Sequence, residues 1–200
     1  MLTPRQQRVK RLFDIILSMV GIALTWWIML LAWIVASLET GSNGLFVQKR
    51  IGYRGRVFNV FKIKTMRSHS GKETTVTTSN DRRITKSGAF FRKTKIDELP
   101  QLFNVLFGQM SFVGPRPDVE GFADRLEGEE REILSVRPGI TGPASLKYRD
   151  EEAILAKQQD PERYNREVIW PDKVRINLAY VRHWSLKRDI GYIVQTITGR

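Results

Sequence analysis

The 200-residue sequence contains no cysteine. A disulfide framework, a thiolate nucleophile and a cysteine metal site are therefore excluded. The two histidines, His69 and His183, have no companion residue at metal-ligand spacing, so neither is assigned a role.

Nucleotide-binding signatures are also missing. The glycines within 41–44 and 52–55 read as turns, because no G-x-G-x-x-G turn joins a strand to a helix there. A Walker A sequence is absent, as are a helix-turn-helix signature, an RNP motif and a zinc finger. A Rossmann domain and a P-loop are thus excluded, and charge alone supports nucleic-acid binding.

Acidic residues are scarce relative to basic ones. The chain carries 21 Asp and Glu against 33 Lys and Arg, a formal net charge of +12. Such an excess implies an anionic partner: phospholipid head groups, nucleic acid or a phosphorylated substrate. The length suits one functional unit with a real core.

A long apolar run extends from Ile15 to Leu38 without a formal charge. A membrane helix needs about 20 such residues, whereas the apolar part of a signal peptide has about 7 to 15. Three tryptophans and no polar face argue against a helix in a soluble core. We therefore predict a membrane-embedded segment, with a cleaved signal and a buried core helix as the alternatives.

Basic residues flank this run on both sides, from Arg5 to Arg11 and from Lys49 to Arg67. The positive-inside rule then asks for cytoplasm at both ends, which favours a helix that enters and returns over one that spans. Trp26 and Trp27 stand in the middle of the run, where a break is predicted. Asp14, at its start, is interpreted as structural.

The remaining residues predict an α+β chain that is mainly helical. A short strand pair is expected at 45–48 and 56–64, a surface loop (lid or connection) at 68–81, and a charged helix start at 150–152. Amphipathic helices at 174–184 and 189–197 suit either a membrane interface or the domain core. Residues 1–40 would form the membrane anchor and residues 41–200 the catalytic domain, together one unit.

An acidic pair, Asp97 and Glu98, precedes an apolar stripe of helical spacing that ends near Gly108. Pro100 is tolerated only in a first helical turn, which predicts Asp97 at or beside the N-cap. As a cap it would stabilise the helix by about 1 kcal/mol. The same position also suits a phosphate, and two carboxylates with a diphosphate are a typical Mg²⁺ environment.

Cations are needed if a carboxylate is to approach a phosphate. Each like-charge contact at 4 Å costs roughly 4 kcal/mol at an effective dielectric near 20. Several basic residues near turns could converge on the pair: Arg92, Lys95, Arg116, Arg137, and Lys62 or Lys64. Arg116 lies between two prolines that restrict its backbone.

Three motifs carry a resemblance to a known family: Asp97-Glu98-Leu99-Pro100-Gln101-Leu102-Phe103-Asn104-Val105-Leu106, Ser111-Phe112-Val113-Gly114-Pro115-Arg116-Pro117 and Arg137-Pro138-Gly139-Ile140-Thr141. Together they resemble the bacterial sugar transferases, the monotopic phosphoglycosyl transferases. The resemblance continues at 10–14, 46–52, 61–66 and 180–189, and so covers nearly the whole chain.

The resemblance implies transfer of a sugar 1-phosphate from a UDP-sugar to a polyprenyl phosphate such as undecaprenyl phosphate, with release of UMP. Asp97 would be the nucleophile that forms an acyl-phosphate, and Glu98 would bind Mg²⁺ or assist proton removal. Mg²⁺ would lie at Asp97 and Glu98. The implied substrate-binding residues are Arg92 for the lipid phosphate, Arg116 and Arg137 for the nucleotide sugar or product phosphate, and Lys62 and Lys64.

The resemblance further implies a monotopic protein on the cytoplasmic face of the bacterial inner membrane. Its re-entrant helix-break-helix commonly has Ser-Pro at the break, where this chain has Trp26-Trp27. UDP-sugar, polyprenyl phosphate and membrane lipids are the expected partners, and nucleic acid is not expected. The competing hypotheses are a non-enzymatic, membrane-anchored basic protein that binds nucleic acid, and a scaffold in which the acidic pair is only a helix cap.

Overall fold

A computed structural model describes residues 2–67 and 83–199; the loop expected at 68–81 and His69 lie outside the described residues. The helices are α1 Pro4–Thr40, α2 Lys86–Thr94, α3 Gln101–Leu106, α4 Pro143–Lys147, α5 Glu151–Leu155, α6 Pro161–Tyr164, α7 Trp170–Arg182 and α8 Leu186–Thr198. The strands are β1 Leu45–Ile51, β2 Val57–Ile63, β3 Ser111–Val113 and β4 Gly139–Thr141. The mainly helical class and the first strand pair are thus confirmed.

Helix α1 is continuous. Thr3 and Gln6 form a capping box at its start, and Gly41, at φ 63°, ends it. Its 37 residues rise about 55 Å at 1.5 Å per residue. Among the described helices it alone is long and apolar enough to cross a membrane.

The break predicted at Trp26-Trp27 is absent from the backbone over residues 4–40, all of which are described. The run contains no proline that would remove a backbone donor there. Thr25 Oγ1 donates to the Gly21 carbonyl at 2.7 Å, and Trp27 Nε1 to the Leu24 carbonyl at 3.0 Å. Both side chains therefore bond to carbonyls within the preceding turn of an intact helix.

Both ends of α1 are held by the rest of the chain. Near its start, Lys10 Nζ donates to the Asp189 carboxylate at 2.6 Å, and the Arg11 guanidinium donates to carbonyls at the end of α3. Near its end, the Glu39 carboxylate accepts hydrogen bonds from Ser87 at the start of α2. One side of α1 is therefore packed on the domain along its length.

The other side of α1 is apolar and exposed. Its exposed residues include Leu12, Ile16, Met19, Leu24, Trp26, Trp27, Leu31 and Leu38. A contiguous exposed apolar surface of this extent is typical of contact with a membrane or a partner.

The β1–β2 hairpin is tied to α3 by one buried amide. The strands pair antiparallel, with Lys62 opposite Phe46. Asn104 Oδ1 accepts from the Phe61 amide at 3.0 Å, and its Nδ2 donates to the Asn59 carbonyl at 2.7 Å. Because Asn104 is fully buried, this contact fixes α3 against β2.

The two amphipathic helices expected near the C-terminus are present as α7 and α8. Tyr180 and Trp184 pack into the core with Val113 and Val136. Helix α8 also exposes Ile190, Val194 and Ile197. The helix starting near residues 150–152 is present as α5.

We expect the buried Asp189 carboxylate to be essential for stability. Asp189→Asn removes the carboxylate that is directly paired with the buried Lys10 ammonium, and breaking a buried ion pair costs about 3–5 kcal/mol. Thermal unfolding in detergent micelles should show a much lower Tm. Glu167→Gln, which breaks the exposed ion pair with Arg163, is the control and should change the Tm little. Equal decreases in the Tm of the two variants would contradict the view that the Lys10–Asp189 pair holds α1 on the domain.

Candidate active site

The acidic pair lies in a 3₁₀ turn, Ile96–Glu98, between α2 and α3. Lys95, at φ 60°, ends α2 and turns the chain into it. The predicted N-cap position of Asp97 is wrong: Pro100 precedes α3 as its cap residue, and no side-chain cap bond is made at either helix start within the described chain. The ring of Pro100 fixes its φ angle at a helical value, and α3 begins at the next residue. Asp97 and Glu98 therefore lie in the turn before α3.

Two buried polar atoms at this turn lack a hydrogen-bond partner among the described residues. They are Oδ1 of Asp97 and Nε2 of Gln101. Leaving such an atom unpaired costs about 1–3 kcal/mol, so a pair of them marks a place where a ligand can bind. Gln101 was not predicted as a site residue, and no local pattern in the sequence marked it.

Glu98 is held between two cations from different parts of the fold. Its Oε1 accepts from Arg116 Nη2 at 3.0 Å and lies 3.4 Å from Lys62 Nζ on β2. Burial alone would raise the pKa of Glu98, but attraction to Arg116 and Lys62 outweighs it and holds the pKa well below its usual value. Glu98 is therefore negatively charged at neutral pH, and the two cations hold its side chain in place.

Asp97 is shifted in the opposite direction. Burial, followed by the negative charge of Glu98, raises its pKa against the attraction of Lys62 and Lys95. Its side chain is almost enclosed, at 8% exposure. The two neighbouring acids thus have different environments: Glu98 is fixed as an anion, and Asp97 is a desolvated carboxylate with an unbonded oxygen.

Arg116 reaches Glu98 because two short strands hold its loop. Strands β3 and β4 pair in parallel, and the Gly114 amide donates to the Thr141 carbonyl at 2.9 Å. A Cβ on Gly139 would lie 2.1 Å from the Gly114 nitrogen, so this approach requires glycine. The guanidinium is held on one side by Glu98 and keeps 47% of its side chain exposed.

The other predicted cations lie further out. Arg92 Nη2 pairs with Glu152 at 2.6 Å, yet its charge still acts to lower the pKa of Asp97. Lys64 Nζ donates to Ser42 Oγ at 2.7 Å. Among the predicted substrate-binding residues, Lys62 and Arg116 directly contact the acidic pair, through Glu98.

Arg137 lies at the opposite end of α3 from Asp97. Its Nε donates to the Gly108 carbonyl at 2.7 Å, and its guanidinium stands over the Tyr53 ring at 5.6 Å. Arg137 thus contacts the C-terminal end of α3, near Arg11.

The described residues contain no group of three or more His, Asp or Glu side chains suited to a metal ion. A Mg²⁺ ion at the pair would therefore need oxygens from a substrate as well. Mg²⁺ commonly binds through one or two carboxylates with phosphates, and the unbonded Oδ1 of Asp97 fits that donor set.

Asp118 follows this site along the chain. Its carbonyl accepts from the Ile51 amide at 2.8 Å, which joins the loop to the end of β1. Burial raises the pKa of Asp118 to about 6, against the attraction of Lys173 and Arg50.

Comparison with known proteins places the chain in a family. A family model described as bacterial sugar transferase matches residues 5–199. The chain belongs to the bacterial sugar transferase family.

Several curated relatives are named for an activity. A UDP-glucose:undecaprenyl-phosphate glucose-1-phosphate transferase of Xanthomonas campestris pv. campestris is 36% identical over 94% of this chain and 37% of the relative. A Klebsiella pneumoniae protein of the same name is 37% identical over 94% of this chain and 39% of the relative. A putative undecaprenyl-phosphate N-acetylgalactosaminyl 1-phosphate transferase of Bacillus subtilis (strain 168) is 38% identical over 64% of this chain and 72% of that relative. The chain thus spans about two fifths of the length of the first two.

We expect Asp118 to make stability depend on pH. Because its folded pKa of about 6 lies above the value of about 3.9 in an unfolded chain, the folded state binds the proton more tightly. The contribution of Asp118 to stability should therefore fall as pH rises from about 4 to 6. Asp118→Asn should remove that fall, measured as Tm against pH in detergent micelles; an unchanged slope would contradict it.

Proposed function

We propose that the chain transfers a sugar 1-phosphate from a UDP-sugar to a polyprenyl phosphate, with undecaprenyl phosphate as the acceptor and UMP as the leaving product. The observation that best supports this proposal is the buried Asp97, which has an unbonded oxygen and lies next to Glu98, itself held by two cations. The names of the three relatives support undecaprenyl phosphate as the acceptor, and two of them name a UDP-sugar as the donor.

In the first step, ionised Asp97 attacks the phosphorus that carries the sugar. The new bond joins its carboxylate oxygen to that phosphorus, the bond to the bridging oxygen breaks, and UMP leaves with both electrons of that bond. A desolvated carboxylate with one oxygen free of hydrogen bonds is suited to this attack. The resulting acyl-phosphate holds the sugar 1-phosphate on the protein.

In the second step, an oxygen of the lipid phosphate attacks the same phosphorus. The bond to Asp97 breaks, which regenerates the carboxylate and yields the polyprenyl diphosphate sugar. Phosphoryl transfer needs mainly positioning and charge stabilisation, so few groups suffice.

Cations make the approach of these anions possible. Arg116 is anchored by one nitrogen to Glu98, while nearly half of its side chain remains exposed to meet a phosphate. Lys62 lies on the other side of Glu98. Asp97 and Glu98 would hold Mg²⁺, which when bound supplies further positive charge to the phosphate oxygens.

Three other cations would act at the edges of the site. Arg92, beside the turn that carries Asp97, would meet the lipid phosphate. Lys64 and Arg137 complete the proposed substrate-binding set, although Arg137 lies at the far end of α3.

We further propose that both ends of α1 face the cytoplasm at the bacterial inner membrane. The domain holds α1 near Lys10 and again near Glu39, and the exposed apolar side lies between these points. An unbroken helix held at both ends cannot enter and return, so α1 would lie along the membrane surface with its apolar side in the lipid. Basic residues would then flank both of its ends on the cytoplasmic side. Polyprenyl phosphate would then reach the site from the membrane surface that this side contacts.

Asp97→Asn should abolish transfer, because an amide cannot act as the nucleophile. UMP release from a UDP-sugar, with Mg²⁺ and polyprenyl phosphate present, should fall by about a thousandfold or more. Glu162→Gln, at an exposed acid on α6, is the control and should retain activity. Undiminished release by Asp97→Asn at an unchanged Tm would refute the mechanism.

The same reaction should require the ionised form of Asp97. Because burial raises the pKa of this group, the acidic limb of the pH–rate profile should lie above the ordinary range of an aspartate. A rate of UMP release that stays constant through that range would contradict an Asp97 nucleophile.

Topology can be tested with single cysteines, since the chain has none. Arg5→Cys and Lys49→Cys place one thiol near each end of α1, both at exposed positions. In intact cells a membrane-impermeant maleimide should label neither, and after lysis it should label both. Labelling of only one in intact cells would show that α1 spans the membrane.

A further inference from the structure

Apart from the candidate active site, a cavity lies next to the loop that carries Arg116. Its volume is about 410 Å³, within the usual range of about 300–1,000 Å³ for ligand pockets. Phe122 and Trp170 form one corner, with ring centroids 5.4 Å apart and planes at 70°. Two rings at this angle offer one face for stacking and one edge beside it.

Irregular backbone shapes this cavity. Gly121, at φ 100°, turns the loop, and its amide donates to Asp124 Oδ1 at 2.7 Å. On the other side, a π-helical turn from Asn165 to Ile169 leads into Trp170 and carries Arg166 into the lining. Such turns occur frequently at functional sites.

The polar lining consists of Arg125, Arg166 and Glu120. None of the three side chains has a hydrogen bond or ion pair within residues 2–67 and 83–199. A guanidinium only donates hydrogen bonds, and an ionised carboxylate only accepts them. Uracil presents two acceptor carbonyls with one N–H donor between them, so two arginines and one glutamate supply the matching types of group.

A short segment of chain joins the cavity to Arg116, which contacts the acidic pair. Glu120 follows Arg116 by four residues, so their Cα atoms are at most about 14 Å apart. Arg50 Nη1 donates to the Pro117 carbonyl at 3.2 Å, and the Ile51 amide to the Asp118 carbonyl at 2.8 Å, which fixes the connecting segment. Arg116 itself contacts Glu98.

We propose that this cavity binds the uracil base of the UDP-sugar, which rests on the function proposed above. The base stacks on the face of one of the two aromatic rings and meets the edge of the other, the two arginines donate to its carbonyls, and Glu120 accepts from its N–H. The diphosphate then runs along the 116–120 segment towards Asp97. The cavity selects the nucleotide, and the acidic pair reacts with its phosphate.

Equilibrium binding of UDP, CDP and pyrophosphate to the full chain in detergent micelles tests this assignment by calorimetry. Glu120→Gln, Arg125→Ala and Arg166→Ala should each raise the Kd for UDP about tenfold, the expected loss for one hydrogen bond to a charged group. Wild type should bind UDP more tightly than CDP, and Glu120→Gln should lose this preference. Binding of pyrophosphate should not change.

Arg163→Ala is the matched control, because Arg163 is an exposed arginine three residues before Arg166 and pairs with Glu167. It should leave the Kd for UDP unchanged, and Tm values will confirm that each variant is folded. The proposal is overturned if all three cavity variants keep the wild-type Kd for UDP, or if they weaken pyrophosphate as much as UDP. These experiments measure binding and not turnover. If the chain binds UDP selectively but transfers no sugar phosphate, the proposed function is refuted while the assignment of the cavity stands.

Discussion

The site depends on the attachment of Glu98 to two cations from separate elements. Lys62 comes from β2 and Arg116 from the loop after β3, and both reach the same carboxylate oxygen. This contact joins the β1–β2 hairpin, the acidic turn and the loop after the β3–β4 pair. It also holds Glu98 in its charged form. Burial raises the pKa of the neighbouring Asp97, and the negative charge of Glu98 raises it further.

Helix α1 is also held by contacts from separate parts of the chain, on the side of the domain that we expect to face the membrane. Its buried side is bonded to the domain near Lys10 and near Glu39, so the helix and the domain form one body. The exposed apolar side can contact lipid only if the domain lies close to the membrane surface. The proposed reaction would need this placement, because a nucleotide sugar is soluble and a polyprenyl phosphate lies in the membrane.

Local patterns in the sequence predicted the apolar helix, the strand pair and the acidic pair, because each depends on neighbours in the chain. They did not predict the parallel pairing of β3 and β4, which joins residues 28 positions apart in the register of Ser111 with Gly139. The break at Trp26-Trp27 was expected from the preference of tryptophan for the membrane interface and from the family resemblance. The helix is continuous there because the run has no proline and keeps every backbone donor. Gln101 was missed because burial without a partner is a property of the fold.

The central claim is that Asp97 carries the sugar phosphate between donor and acceptor. The most direct test is mass spectrometry of the full chain after incubation with a UDP-sugar and Mg²⁺ but no polyprenyl phosphate. One sugar phosphate should be added to the peptide that contains Asp97. This adduct should be absent in Asp97→Asn and should disappear when polyprenyl phosphate is added. An unmodified chain that nevertheless transfers the sugar phosphate once lipid is present, or an adduct on another residue, would contradict it.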